Sequence, residues 1–99
     1  MNIKITDKAK EMIRETIDKK GVSDPVIRIY ISGFGWGGPN FSIVLDEQKE
    51  NDYKVKEDDI SYVVEKDLIN KYGGFIVDYS KTWLYKGFRV QAQYGGSGC

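Results

Sequence analysis

The run Val26-Ile27-Arg28-Ile29-Tyr30-Ile31-Ser32, which passes straight into Gly33-Phe34-Gly35-Trp36-Gly37-Gly38-Pro39, decides the fold. Ile27, Ile29 and Ile31 alternate with Arg28 and Tyr30, so the first part predicts a half-buried strand with the isoleucines on its inner face. The glycines that follow open no helix. Pro39 comes next, and then Phe41 to Asp46 forms a second strand candidate. Strand, glycine-rich loop and returning strand describe a β-rich fold rather than a βαβ unit.

Upstream of this run, Ala9, Met12, Ile13 and Ile17 recur at helical spacing between Asp7 and Lys20. Thr6 or Asp7 can cap the start and Gly21 can end the helix, so an amphipathic helix packs its Met and Ile stripe into the core. Downstream, the polar stretch Glu47 to Asp59 reads as a turn-rich connection with a short strand around Tyr53 and Val55. Ile60 to Val64 is a further strand, and Lys66 to Tyr72 a short helix closed by Gly73-Gly74. Phe75 to Tyr79 and Gly87 to Gln93 are the last strands. The fold class expected is α+β: a β-rich domain of mostly antiparallel sheets, as a sandwich or partly closed barrel, with the N-terminal helix packed on it. No repeat, low-complexity tract or linker interrupts the chain, so residues 1–99 read as a single domain.

The chain has 99 residues with 40% hydrophobic, 13% aromatic and 30% charged, which fits one packed core rather than a disordered segment. Fifteen basic and fifteen acidic residues balance to a net charge of zero, so nothing global draws it to nucleic acid or to an anionic membrane. No apolar run approaches the ~20 residues that span a bilayer, and the start lacks a signal-peptide core, so a cytoplasmic protein is expected. There is no histidine and one cysteine, Cys99, at the end of Tyr94-Gly95-Gly96-Ser97-Gly98-Cys99. Ser–His and Cys–His nucleophilic sites and a self-contained Cys/His zinc site are thereby excluded.

Several constellations can be weighed on their chemistry. Gly33 to Gly38 formally satisfies G-x-G-x-x-G, but a strand follows where a dinucleotide site needs a helix N-terminus, so phosphate binding fails. The bland reading is an inter-strand loop. The functional one is a loop that presents Phe34 and Trp36 among Gly35, Gly37 and Gly38 to a ligand or partner. Lys86-Gly87-Phe88-Arg89-Val90 begins like an RNA-recognition strand, but Arg89 stands where a small residue belongs, and Phe88 and Val90 are expected in the core. The pairs Asp46-Glu47 and Asp58-Asp59 read as solvated turn charges, and Asp78 and Lys81 flank a strand end. Cys99 carries a thiol and the terminal carboxylate together on a stem of glycines, so it can reach a shared ion or a partner.

In the order of these features the chain resembles the HesB/IscA family, the A-type iron–sulfur assembly proteins. Ile5-Thr6-Asp7-Lys8-Ala9 looks like the family's start, Ile29-Tyr30-Ile31-Ser32-Gly33 like the strand into its first cysteine loop, and Leu45-Asp46-Glu47 like the following strand. Val77-Asp78-Tyr79 through Lys86-Gly87-Phe88-Arg89-Val90 resembles its aspartate-aromatic and glycine-phenylalanine segments. The resemblance implies three cysteines, of which Phe34 replaces the first and Ser97-Gly98-Cys99 stands over the closing Cys-Gly-Cys. Only Cys99 remains. The loop Ser32 to Pro39 and the Gly-Gly-Ser-Gly-Cys ending look like a HesB-like subgroup in which position 36 holds cysteine or selenocysteine, which implies that Trp36 occupies the place of Cys99's partner ligand.

What the resemblance implies is a non-enzymatic protein of iron–sulfur cluster assembly or iron carriage, with Cys99 as its remaining metal ligand. Its cargo would be iron or a labile [2Fe–2S] cluster. Its partners would be an iron–sulfur apo-protein or assembly factor and a second copy of the chain as a homo-oligomer, with no nucleic acid and no membrane. A cluster wants four ligands, so one thiol per chain leaves the rest to come from outside. Two other classes stay open: a cofactor-free interaction module using Phe34, Trp36 and the glycine loop, and a thiol redox protein acting through Cys99.

Overall fold

The computed structural model describes residues 2–81 and 86–93. Seven strands and two helices follow in the order β1 (Ile3–Ile5), α1 (Asp7–Lys20), β2 (Val26–Gly35), β3 (Gly38–Leu45), β4 (Asp52–Glu57), β5 (Ile60–Glu65), α2 (Lys66–Tyr72), β6 (Phe75–Lys81) and β7 (Lys86–Ala92). They form one sheet in the order β1-β6-β7-β3-β2-β5-β4, curled into a nearly closed barrel. β1 with β6 and β2 with β5 pair parallel, and the other four neighbours pair antiparallel. The β-rich, mostly antiparallel architecture expected from the sequence is therefore present.

α1 begins and ends for the anticipated chemical reasons. Thr6 stays extended as its N-cap and its Oγ1 accepts from the Ala9 amide at 3.2 Å, while Gly21 takes φ 63° and closes the last turn. Ala9, Ile13 and Ile17 are buried along the inner stripe. They meet Ile27 and Ile29 of β2, Tyr62 and Val64 of β5 and Phe75 and Val77 of β6 in one core. Phe41 stands edge-on to Tyr72 and Phe75, with ring centroids 5.1 and 4.9 Å away, and ties α2 to the sheet. Phe88 and Val90 pack against this core, so the strand that begins like an RNA-binding motif serves packing.

Two features differ from the sequence reading. β1 was not anticipated, because Ile3–Ile5 is too short to show alternation; it exists by pairing with Phe75, Ile76 and Val77 of β6. The alternation in β2 sets Arg28 on the face opposite the isoleucines, toward solvent, yet it is buried. Its guanidinium is enclosed by carboxylates: Nη1 and Nη2 donate to both oxygens of Asp52 at 2.9 and 2.7 Å, Nη2 to the Glu47 carbonyl at 2.9 Å, and Nε to Asp46. Asp46 is thus an ion-pair partner rather than a solvated turn charge. Its carboxyl is held below the ordinary range by the Glu47 amide and by Arg28, and that of Asp52 chiefly by Arg28.

Candidate functional site

The glycine-rich segment is mostly strand rather than loop. Gly33 pairs with Asn40, Phe34 with Pro39 and Gly35 with Gly38, leaving only Trp36-Gly37 as the turn. The register slips at Ser32, an extra residue in β2 that forms a bulge. Gly38 adopts φ 116°, which a side chain would oppose, so this glycine is required where the chain reverses.

Beyond the bulge this ribbon stands without lateral support among the described residues. β5 pairs with β2 only from Val26 to Arg28, and β7 meets β3 only at Phe41 opposite Val90. Phe34 is 79% exposed and Trp36 fully exposed at 108%, against 46% for Val44, the next most exposed large apolar residue of the sheet. From Ser32 to Phe41 the sequence holds no charged residue, so the ribbon presents backbone and two aromatic rings and little else.

The predicted residues Phe34, Gly35, Trp36, Gly37 and Gly38 are therefore brought together on one protruding hairpin. Cys99 and Ser97 lie outside the described residues. β7 runs antiparallel to β3, with Val90 opposite Phe41, so its C-terminal end points the way β3 begins. Gln93, whose amide donates to the Gly74 carbonyl at 2.9 Å, ends the described chain at the hairpin end of the barrel. Among the described residues no group of three or more His, Cys, Asp or Glu side chains could hold a metal ion. Cys99 is the one thiol of the sequence.

Of the other residues weighed, Asp78 accepts from the Thr6 hydroxyl and from the Tyr79 amide, both at 2.8 Å, and is held below the usual carboxylate range by these bonds. It braces the start of α1 against β6. Asp58 and Asp59 form the two-residue turn between β4 and β5, with φ 51° and 65°. Lys81 is exposed at the end of β6. Arg28 and Asp52 are the polar residues that sequence reasoning missed. The available signal was an arginine in the middle of an isoleucine strand, which burial requires to have a counter-charge.

The site is thus an aromatic hairpin at one end of a seven-stranded, nearly closed barrel on which α1 is laid. No family model matches the sequence. Among curated relatives, the iron-sulfur cluster insertion protein ErpA of Wigglesworthia glossinidia brevipalpis is 31% identical over 90 residues, 90% of this chain and 79% of that protein. ErpA of Alcanivorax borkumensis is 29% identical over 98 residues, 98% of this chain and 82% of its own. The fold matches Escherichia coli SufA, a protein involved in biosynthesis of iron-sulfur clusters, with a TM-score of 0.76 at 19% identity over 99% of this chain and 86% of that one. It also matches IscA with a [2Fe-2S] cluster, at 0.71 and 16% identity over 91% and 81% of the two chains. The chain belongs to the HesB/IscA family. No described helix is long and apolar enough to cross a membrane.

Proposed function

We propose that this chain is a non-enzymatic carrier of iron or of a labile [2Fe–2S] cluster, which it holds through the Cys99 thiolate and passes to an apo-protein. The observation that carries the reading is the direction of β7: Gln93 ends the described chain at the hairpin end, six residues before Cys99. At up to about 3.3 Å per residue, that length spans some 20 Å of reach from Gln93. On this reading the Cys99 thiolate works within reach of Trp36, Gly37 and Gly38, with Ser97 one position before the last glycine.

A cluster wants four ligands and one chain provides one thiolate. A homo-oligomer supplies a second, and small thiols or the recipient's own cysteines complete the set. Cargo held this way is exposed and easily surrendered, which suits delivery rather than storage. The proposed role needs Cys99 as a reduced thiol, and thiols are kept reduced in the cytosol, so we place the protein there. Anaerobic reconstitution with iron and sulfide tests the reading: visible absorption should develop with the full chain and be lost in Cys99→Ser. Equal spectra for the two would end it.

The exposure of Phe34 and Trp36 favours a second reading, a cofactor-free interaction module using the same hairpin. It predicts that Trp36→Ala abolishes partner contact while Cys99→Ser leaves it intact. The subgroup resemblance adds one check at the level of the gene: a UGA codon at position 36 would make the native residue selenocysteine and provide a second soft ligand.

A further inference from the structure

The hairpin strand β2 has a second open element, its lateral edge. The Asp46 amide donates to the Val26 carbonyl at 2.9 Å, so Arg28 and Tyr30 also direct their backbone groups toward β3, and Ile27, Ile29 and Ile31 direct theirs the opposite way. On that side β5 covers β2 no further than Arg28, opposite Val63, before the chain turns into α2. Ile31 thus presents its N–H and C=O laterally with no strand beside it among the described residues. Past the bulge, Phe34 does the same, because its opposite number Pro39 sits where no inward N–H is needed.

This edge differs from the others of the sheet. β1 is three residues with Lys4 at its centre, β4 carries Lys54, Lys56 and Glu57, and the β3 side of the hairpin is blunted by Pro39. Charge, brevity and proline are the usual devices against edge pairing. Ile29 to Gly35 has neither charge nor proline. The stretch Ser42 to Leu45 of β3 lies on the side where β7 is its neighbour in the sheet, with Phe41 opposite Val90 as their bridge.

A groove of about 190 Å³ lies along the open edge, lined by Arg28, Ile29, Tyr30, Ile31, Glu65 and Leu68. Its floor and far wall are the β2 edge and α2. Glu65 makes no ion pair among the described residues and gives α2 no side-chain cap; it borders this groove on one side and a hollow with Asp52 and Asn70 on the other, so its carboxylate is free to meet a cation. A second copy of β2 brings no cation to it, since Arg28 is taken by Asp46 and Asp52.

We infer that the β2 edge and the α2 groove together bind a short extended segment of another protein by strand addition, with one lysine or arginine of that segment meeting Glu65. Main-chain bonds to Ile31 supply the affinity, the groove seats one apolar side chain, and the carboxylate selects the cation. The bulge at Ser32 ends the straight run, so the added strand is short. The inference is independent of metal carriage and is tested without it.

The probe is a displayed library of random nine-residue peptides, selected against full-length Cys99→Ser protein free of iron. Recovered peptides should alternate β-branched residues with one fixed Lys or Arg. They should shift the Ile31 amide and slow its hydrogen exchange. N-methylating the peptide amides that face β2 should weaken binding at least tenfold, and Glu65→Gln should weaken the cation-bearing peptide several-fold while sparing a version without the cation. The inference is overturned if no peptide is recovered, if the Ile31 amide is untouched, or if N-methylation has no effect. It is equally overturned if sedimentation shows self-association through the same amide, or if that amide is protected in the free chain and released in a chain ending at Gln93.

Discussion

Replacing Arg28 by alanine removes the guanidinium on which two carboxylates and a carbonyl converge. The side chains of Arg28 and Asp52 are 9% and 1% exposed, so the variant strands a buried carboxylate whose remaining partner is the Lys49 amide at 2.6 Å. Removing one member of a buried pair costs about 3 to 5 kcal/mol, a large share of the roughly 5 to 15 kcal/mol that holds a domain of this size together. At about 4 °C or more per kcal/mol, the melting temperature should fall by roughly 12 °C or more. Urea titration and thermal melts at pH 7 measure this directly. The pH dependence gives a second, sharper readout. Asp46 and Asp52 have carboxyls lowered in the fold, so their stabilisation is present above the unfolded carboxylate value near 4 and is lost as pH falls through the lower folded values. In Arg28→Ala the chief cause of lowering at Asp52 is gone and burial opposes its charge. The variant should therefore lose much less stability than the wild type on going from pH 5 to pH 3. A loss below about 1 kcal/mol at pH 7, or an acid profile parallel to the wild type, would refute the account of Arg28 as the centre of a buried ionic cluster.

Thr6→Ala should cost about 1 kcal/mol by removing the α1 cap and the brace to Asp78, and Thr6→Ser should restore most of it in the same urea titration. Asp59→Gly relieves a side chain held at φ 65° in the β4–β5 turn and should raise stability by about 0.5 to 1 kcal/mol. Gly74→Ala places a Cβ 2.7 Å from the Asn2 carbonyl oxygen at φ 154°, and should destabilise the β1–β6 pairing by about 2 kcal/mol or more, visible as early exchange of the Phe75 amide, which bonds that carbonyl. Trp36→Cys adds a soft ligand at the hairpin turn. Its reconstituted absorption should exceed that of the wild type and resist iron chelators longer, and Trp36→Ser should show neither gain.

Both helices were legible in the sequence to the residue, because each carries its own punctuation: Thr6 and Gly21 around α1, Gly73 after α2. β2 and β3 were legible as strands, but not their continuation through the glycines. Nothing in Gly33-Phe34-Gly35 alternates in polarity, and the ladder there is held by backbone pairing across Gly38 to Asn40. β1 was invisible for the opposite reason, since its identity comes wholly from β6. The exposure of Phe34 and Trp36 was readable from aromatics set among small residues. The burial of Arg28 was not, because its partners Asp46 and Asp52 come from separate elements that only the closed sheet brings together.

The single bridge between Phe41 and Val90 has a consequence for how the chain reaches this state. It joins β1-β6-β7 to β3-β2-β5-β4 across about fifty residues of sequence, whereas β2 with β3, β4 with β5 and β6 with β7 are neighbours along the chain. Loop closure makes such a distant contact slow to form. The β6–β7 hairpin and the β3-β2-β5-β4 sheet should therefore assemble first and dock late, with the Phe41, Tyr72 and Phe75 rings as the latch, and β1, whose partner β6 is still more distant in sequence, should join no earlier. Mutations at this latch would slow folding only slightly and speed unfolding strongly, which makes the seam the place where the lifetime of the native state is set.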